Sequence, residues 1–238
     1  MIQDTTLRQF LRTFEIETNP PASERQLDEL EEKLGIPLPA EIRDYYRICD
    51  GGCVCNDRSY MELLSIDGAR ARRRVLGFKN SFWGYYSVAE NNDSNPVCVF
   101  CKSPLTGYVA VVNHDDNPRL LARSLDGFLN LAMARVAESD FYDTAELESE
   151  FAGRERTDRD IEIARQLIHH ALDNDTLDPG ERTDALCFAG DLFPDIMVDE
   201  IAALYGRGNE YVRRYVIARL ERIAHPAGKV LAYRFRRH

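Results

Sequence analysis

Hydrophobic periodicity changes twice along these 238 residues, and the two changes constrain the fold more than any single motif does. Up to about residue 50 apolar residues recur at helical spacing. From Cys53 to about Asn113 they fall in short β-rich runs, and after Asp158 they return to helical spacing with no strand-like run. Helices, then strands, then helices alone predict an α+β domain with a central antiparallel sheet flanked by helices, followed by a small all-α domain of helical hairpins. The expected domains are residues 1–152 and 153–238, because the stretch from Glu138 to Asp160 reads as an acid-rich connector containing Gly153.

Local signals place the first helices. Leu7, Phe10, Leu11 and Phe14 form an apolar stripe behind Thr6 as an expected cap, and Asn19-Pro20-Pro21 ends it. Ser23 with Gln26 three residues on is a capping box, after which Leu27, Leu30 and Leu34 run to Gly35. Pro39 suits the first turn of a further helix with a core stripe of Ile42, Tyr45, Tyr46 and Cys49, stopped by Asp50-Gly51-Gly52.

Strands are expected at Tyr60 to Ile66, Val75 to Phe78, Phe82 to Val88, Val97 to Cys101 and Tyr108 to Val112. The last two form an antiparallel hairpin across the turn-rich segment Lys102 to Gly107. Ser124 then caps a helix with Leu125, Phe128, Leu129, Ala132 and Val136 on one face. In the C-terminal part the stripes are Ile161/Ala164/Ile168/Ala171, Ala185/Leu186/Ala189/Leu192, Val198/Ile201/Ala202/Tyr205 and Val212/Tyr215/Val216/Leu220/Ile223. Breakers at Pro179-Gly180, Pro194, Gly206 to Gly208 and Pro226 separate them. Arg182 to Phe193 echoes Tyr211 to Arg222 at a spacing of about 29, close to helical-repeat periods, so a HEAT-like stack is an expectation for this part.

A formal net charge of -10 argues against general nucleic-acid binding, which depends on basic groups displacing counterions. It suits a basic protein partner, or solubility alone. No apolar run has the length of a membrane span, and Met1-Ile2-Gln3-Asp4 lacks the basic and apolar regions of a secretory signal, so a cytoplasmic location is expected. The six cysteines are then reduced thiols or metal ligands rather than a disulfide framework. Cys53/Cys55 and Cys98/Cys101 would supply four thiolates for zinc. Within one strand, however, Cys98 and Cys101 point to opposite faces unless the strand bends, and no metal or cofactor is assigned.

The segment Leu27 to Gly52, with its helix, its Ile36-Pro37-Leu38-Pro39 hinge and its second helix ending in Asp50-Gly51-Gly52, resembles the opening of the SUKH superfamily, the SMI/KNR-like domains. It departs from that pattern in carrying Asp50 where Asn is usual. Val109 to Asp116, followed by Leu121 to Leu129, is similar to the family's late strand, acidic loop and closing helix, with Leu125 in place of an aromatic. The resemblance covers roughly residues 20–136. It implies an α+β domain without enzymatic activity, used in bacteria largely as an immunity protein against toxins and in fungi as a regulator of cell-wall synthesis.

His114-Asp115-Asp116 is the one suggestive cluster for catalysis, and it matches the family's acidic turn. No phosphate loop, His-Glu-x-x-His helix or nucleophile elbow occurs, so no catalytic residue is assigned. Phe82 to Tyr86 is aromatic-dense, and alternation puts Trp83 and Tyr85 together on one face, the type of anchor that protein interfaces use. The expected partner-binding residues are therefore Asp50, Trp83, Tyr85, Asp115 and Asp116, and the expected partner is a basic toxin domain. The alternative is a regulatory scaffold, related to the cell wall or to signalling, that binds mainly through its helical domain. Arg70 to Arg74 form one basic run, and Arg213, Arg214, Arg219, Arg222, Arg234, Arg236 and Arg237 another. Solvated helix faces account for such runs, and in a HEAT-like stack the second would instead line a groove for an acidic partner or a nucleic acid.

Overall fold

The structure, a computed structural model, describes residues 4–56, 59–75, 84–90, 95–112, 118–138, 147–152, 155–174 and 177–237. The chain divides into two units. One comprises Met1–His114 with Leu121–Glu150, and the other Asp115–Leu120 with Phe151–His238.

In the first unit α1 (Asp4–Thr13) buries Leu7 and Phe10. It begins before Thr6, which lies inside the helix and not at its cap. In α2 (Glu24–Leu34) both bonds of the capping box form: Gln26 N–H donates to Ser23 Oγ at 3.3 Å and Ser23 N–H to Gln26 Oε1 at 3.0 Å. Gly35 closes the helix at φ 69°. Pro39 is the N-cap of α3 (Ala40–Ile48), one position earlier than expected, and Ile42, Tyr45, Tyr46 and Cys49 are all buried. Arg43 fixes α3 to α2 by reaching Glu24, Asp28 and Glu31 at 2.8, 2.9 and 2.8 Å.

The sheet is a seven-stranded meander in sequence order: β1 (Glu17–Thr18), β2 (Gly52–Asn56), β3 (Ser59–Leu63), β4 (Tyr85–Glu90), β5 (Val97–Phe100), β6 (Val109–Val111) and β7 (Arg119–Ala122). Neighbours from β1 to β6 pair antiparallel, and the Val97–Val112 hairpin forms with Val97 opposite Val111. Where strand was expected up to Ile66, the chain forms α4 (Ile66–Val75), and of the strand expected at Val75 to Phe78 all but Val75 lies outside the described residues. The reason lies in its start. Ser65 Oγ accepts from Gly68 N–H at 3.1 Å, while Ile66 and Ala69 turn one apolar edge inward at helical spacing.

Val97, Val99, Val109 and Val111 meet the helices in one apolar core with Leu27, Leu30, Tyr45, Tyr46, Phe128 and Leu129. α5 (Leu125–Glu138) supplies the last two. Its start is held by Ser124 Oγ, which accepts from Gly127 N–H, and by Glu41 of α3, whose carboxylate accepts from Leu125 N–H at 2.8 Å.

The second unit is built from α6 (Asp158–Asp173), α7 (Pro179–Leu192), α8 (Val198–Ala203), a 3-10 turn at Leu204–Gly206, α9 (Glu210–Arg222) and α10 (Pro226–Phe235). α6 packs on α7, and α9 on α10. The buried face of α6 is Asp160, Ile163, Ala164, Leu167 and Ala171, so Ile161 and Ile168 sit beside the stripe expected of them. Asp160, at the start of that face, is buried, and its carboxylate accepts from both the N–H and the hydroxyl of Thr157 at 2.8 Å. Pro226, expected as a breaker, opens α10, whose first turn needs no N–H from it.

Candidate partner-binding groove

After α3 the chain turns through Gly51, at φ 78°, where a Cβ would stand 2.5 Å from both Leu63 O and Ser65 N. Only glycine allows this approach, and it lays β2 along β3. Asn19 pins the other side, with its backbone N–H donating to Gly51 O at 3.1 Å and its side-chain amide to Asp50 O at 2.8 Å. The register that results puts Cys53 opposite Glu17 on one side and opposite Glu62 on the other. Directly paired residues share a face, so Glu17, Cys53 and Glu62 form a row across three strands. Glu90 of β4 extends it, opposite Glu62.

A groove of about 650 Å³ follows this row, with Glu15, Glu17, Asn19, Cys53, Glu62 and Ser65 in its wall. Among the described residues that line it there is no Lys, Arg or His. β1 is the edge strand and both of its residues are exposed. Glu15, at the rim, takes φ 49°. It occupies the left-handed position that ends α1, where Glu15 N–H donates to Arg12 O and Ile16 N–H to Leu11 O. Glycine is the usual residue there.

Strands two apart lie about 10 Å from each other, so Glu17 and Glu62 flank Cys53 at a distance that admits one long basic side chain between them. Carboxylates set together with no cation leave a local negative potential that such a group relieves. The acids of α2 and α3 are in a different state. Arg47 holds Glu24 at 2.6 Å and Asp44 at 2.9 Å, Arg43 holds Glu24, Asp28 and Glu31, and hydrogen bonds from Arg47 and then Arg43 lower the Glu24 carboxyl to about 2. The acids of these helices are thus largely paired internally, whereas those of the groove have no cation among the described residues beside them.

The residues expected from sequence distribute unevenly. Asp50 caps α4: its Oδ1 accepts from Ile66 N–H at 2.8 Å. Tyr85 is not an outward anchor. Every residue of β4 is buried, and the Tyr85 ring packs on Phe100 with centroids 4.7 Å apart, because this strand is covered on both faces where alternation had suggested one exposed side. Trp83, Asp115, Asp116 and His114 lie outside the described residues. Of the cysteines, Cys53 is exposed at the groove, whereas burial pushes the thiol of Cys49 up to about 11 and that of Cys98 up to about 12. No group of three or more His, Cys, Asp or Glu placed to hold a metal ion occurs among the described residues. Glu15, Glu17 and Glu62 were missed by sequence reasoning. Only strand pairing brings them together, and no local motif marks it.

A helix pair leading into an antiparallel meander, closed by a further helix and carrying a charged groove at its edge, defines an α+β domain of a recognisable kind. Residues 21–131 match the model of the SMI1 / KNR4 family (SUKH-1), and this segment is an SMI1/KNR4 (SUKH-1) domain. The match runs from just before the Ser23 cap into α5 and leaves α6 to α10 outside it. No curated protein matches the chain. No helix among the described residues is long and apolar enough to cross a membrane.

Proposed function

We propose that this chain is an immunity-type protein whose SUKH-1 domain grips a basic toxin domain at the groove and neutralises it by covering its active surface. The observation that carries this reading is the carboxylate row Glu17–Cys53–Glu62, with Glu15 at its rim and no cation among the described residues that line the groove. Such a surface raises the rate at which a basic partner arrives and orients it on docking. The conformation of Glu15 supports the same reading. A carboxylate kept where glycine costs less is a local expense that a binding role explains. The role requires no catalysis, and it places the chain in the cytoplasm.

The test begins with capture of the tagged full-length protein from cells of its source in moderate salt, with mass spectrometry of whatever co-purifies in near-equal amount. Each such protein is then expressed in a host with and without this chain. A partner that arrests growth alone and not in company is the expected result. Partners that are all harmless, or toxic with and without the chain, overturn the proposal.

A further inference from the structure

The helical unit has a cavity of its own, about 250 Å³, with a different chemistry. One wall is a face of α9, on which Arg214, Ala218 and Arg222 follow one another at every fourth residue with Tyr215 and Arg219 alongside. The small Ala218 leaves open space between two guanidinium groups. Arg119, of the Asp115–Leu120 segment of the same unit, also lines the cavity.

Asp191 is the single carboxylate among the described residues that line it and is already engaged. Its Oδ1 accepts from the Tyr215 hydroxyl at 2.7 Å, and its Oδ2 from Leu120 N–H at 3.1 Å. These bonds fix both walls, since one holds Tyr215 and the other holds the residue next to Arg119. Gly190 makes the first possible, because a Cβ there would stand 2.6 Å from the Tyr215 ring. Arg219 is anchored by Asp195 at 2.7 Å, and Arg214 pairs with Glu210 at the exposed surface, a contact that solvent weakens. Among the described residues four guanidinium groups stand around one carboxylate, a cationic lining on a chain of net charge -10.

We propose that this cavity binds a small phosphorylated molecule, with Arg119, Arg214 and Arg222 around the phosphate. Guanidinium forks match phosphate oxygens two at a time, which suits a dianion better than a single carboxylate. The volume is below the roughly 300–1,000 Å³ of sites for drug-sized ligands, so it takes a phosphate or diphosphate head. A long polyanion would meet Glu210 and Glu221 on the same helix and the acidic charge of the whole chain. Of the arginines expected to line a groove, Arg213 is not in this wall. It lies over the Tyr205 ring, 5.5 Å from its centroid. The inference is independent of toxin binding.

Calorimetric titration of the full-length protein with pyrophosphate at low salt tests it. One saturable site is expected, weakened about tenfold or more by Arg222→Glu and by Arg214→Gln, each removing a charged contact to the phosphate. Arg237→Glu is the control; Arg237 lies over the Tyr233 ring and is not in the cavity wall. Circular dichroism of each variant confirms folding. Absence of binding, equal loss in Arg237→Glu, or tighter binding of a short oligothymidylate than of pyrophosphate would each overturn the proposal, the last in favour of a nucleic acid.

Discussion

Replacing Glu15 by glycine separates what that residue costs the fold from what it offers a partner. Its φ of 49° belongs to the left-handed region, which costs a residue with a Cβ about 1–2 kcal/mol. Glycine removes this cost but loses more freedom on folding, roughly 0.5–1 kcal/mol. The difference leaves Glu15→Gly more stable by about 0.5–1 kcal/mol. With a urea dependence of about 2 kcal/mol per molar, the midpoint rises by roughly 0.25–0.5 M. The urea transition is followed by far-UV circular dichroism. Glu15→Ala is the companion: it removes the same carboxylate, keeps the Cβ, and should leave the midpoint where it was or lower. Both variants should bind the partner more weakly. A midpoint that falls in Glu15→Gly, or that rises equally in Glu15→Ala, would refute the reasoning, because relief of left-handed strain would not then be the cause.

Further expectations concern the turn behind the groove and the helix pair beside it. Asp50→Ala removes the acceptor from Ile66 N–H and should cost about 1–2 kcal/mol in urea unfolding. Asp50→Asn keeps an oxygen there and should cost under about 1 kcal/mol, and equal losses would contradict the capping role. Gly51→Ala adds a Cβ 2.5 Å from two backbone atoms at positive φ and should cost about 3 kcal/mol or more, a loss that a melting curve near wild type would disprove. Because the folded state holds Glu24 at about 2 against an ordinary 4.5, its contribution is complete above pH 4.5 and fades as pH falls towards 2. The stability advantage of wild type over Glu24→Gln should follow that course in urea midpoints, and an advantage growing with acid would have the wrong sign.

Much of the fold is legible from neighbours in sequence. Ser23 with Gln26, Gly35, and the stripe Ile42/Tyr45/Tyr46/Cys49 act within one or two helical turns, and each is where local rules put it. What escaped depends on distant partners. β1 is two residues long and exists only because β2 pairs with it. α4 has a local cap in Ser65 but also takes an acceptor for Ile66 N–H from Asp50, sixteen positions earlier, and a run so rich in arginine shows little apolar pattern. Glu15 gives no glycine to announce a left-handed turn. The groove is a product of register, and the arginine cavity joins Arg119 to residues of α9 nearly a hundred positions away.

The affinity of the captured partner for the full-length chain, compared with E17K/E62K and with R214E/R222E, weighs the acidic groove directly against the helical unit. Loss of binding in E17K/E62K, with R214E/R222E close to wild type and all three proteins folded by circular dichroism, is the predicted result. Retention of binding in E17K/E62K together with its loss in R214E/R222E would contradict the account and make the helical unit the gripping surface.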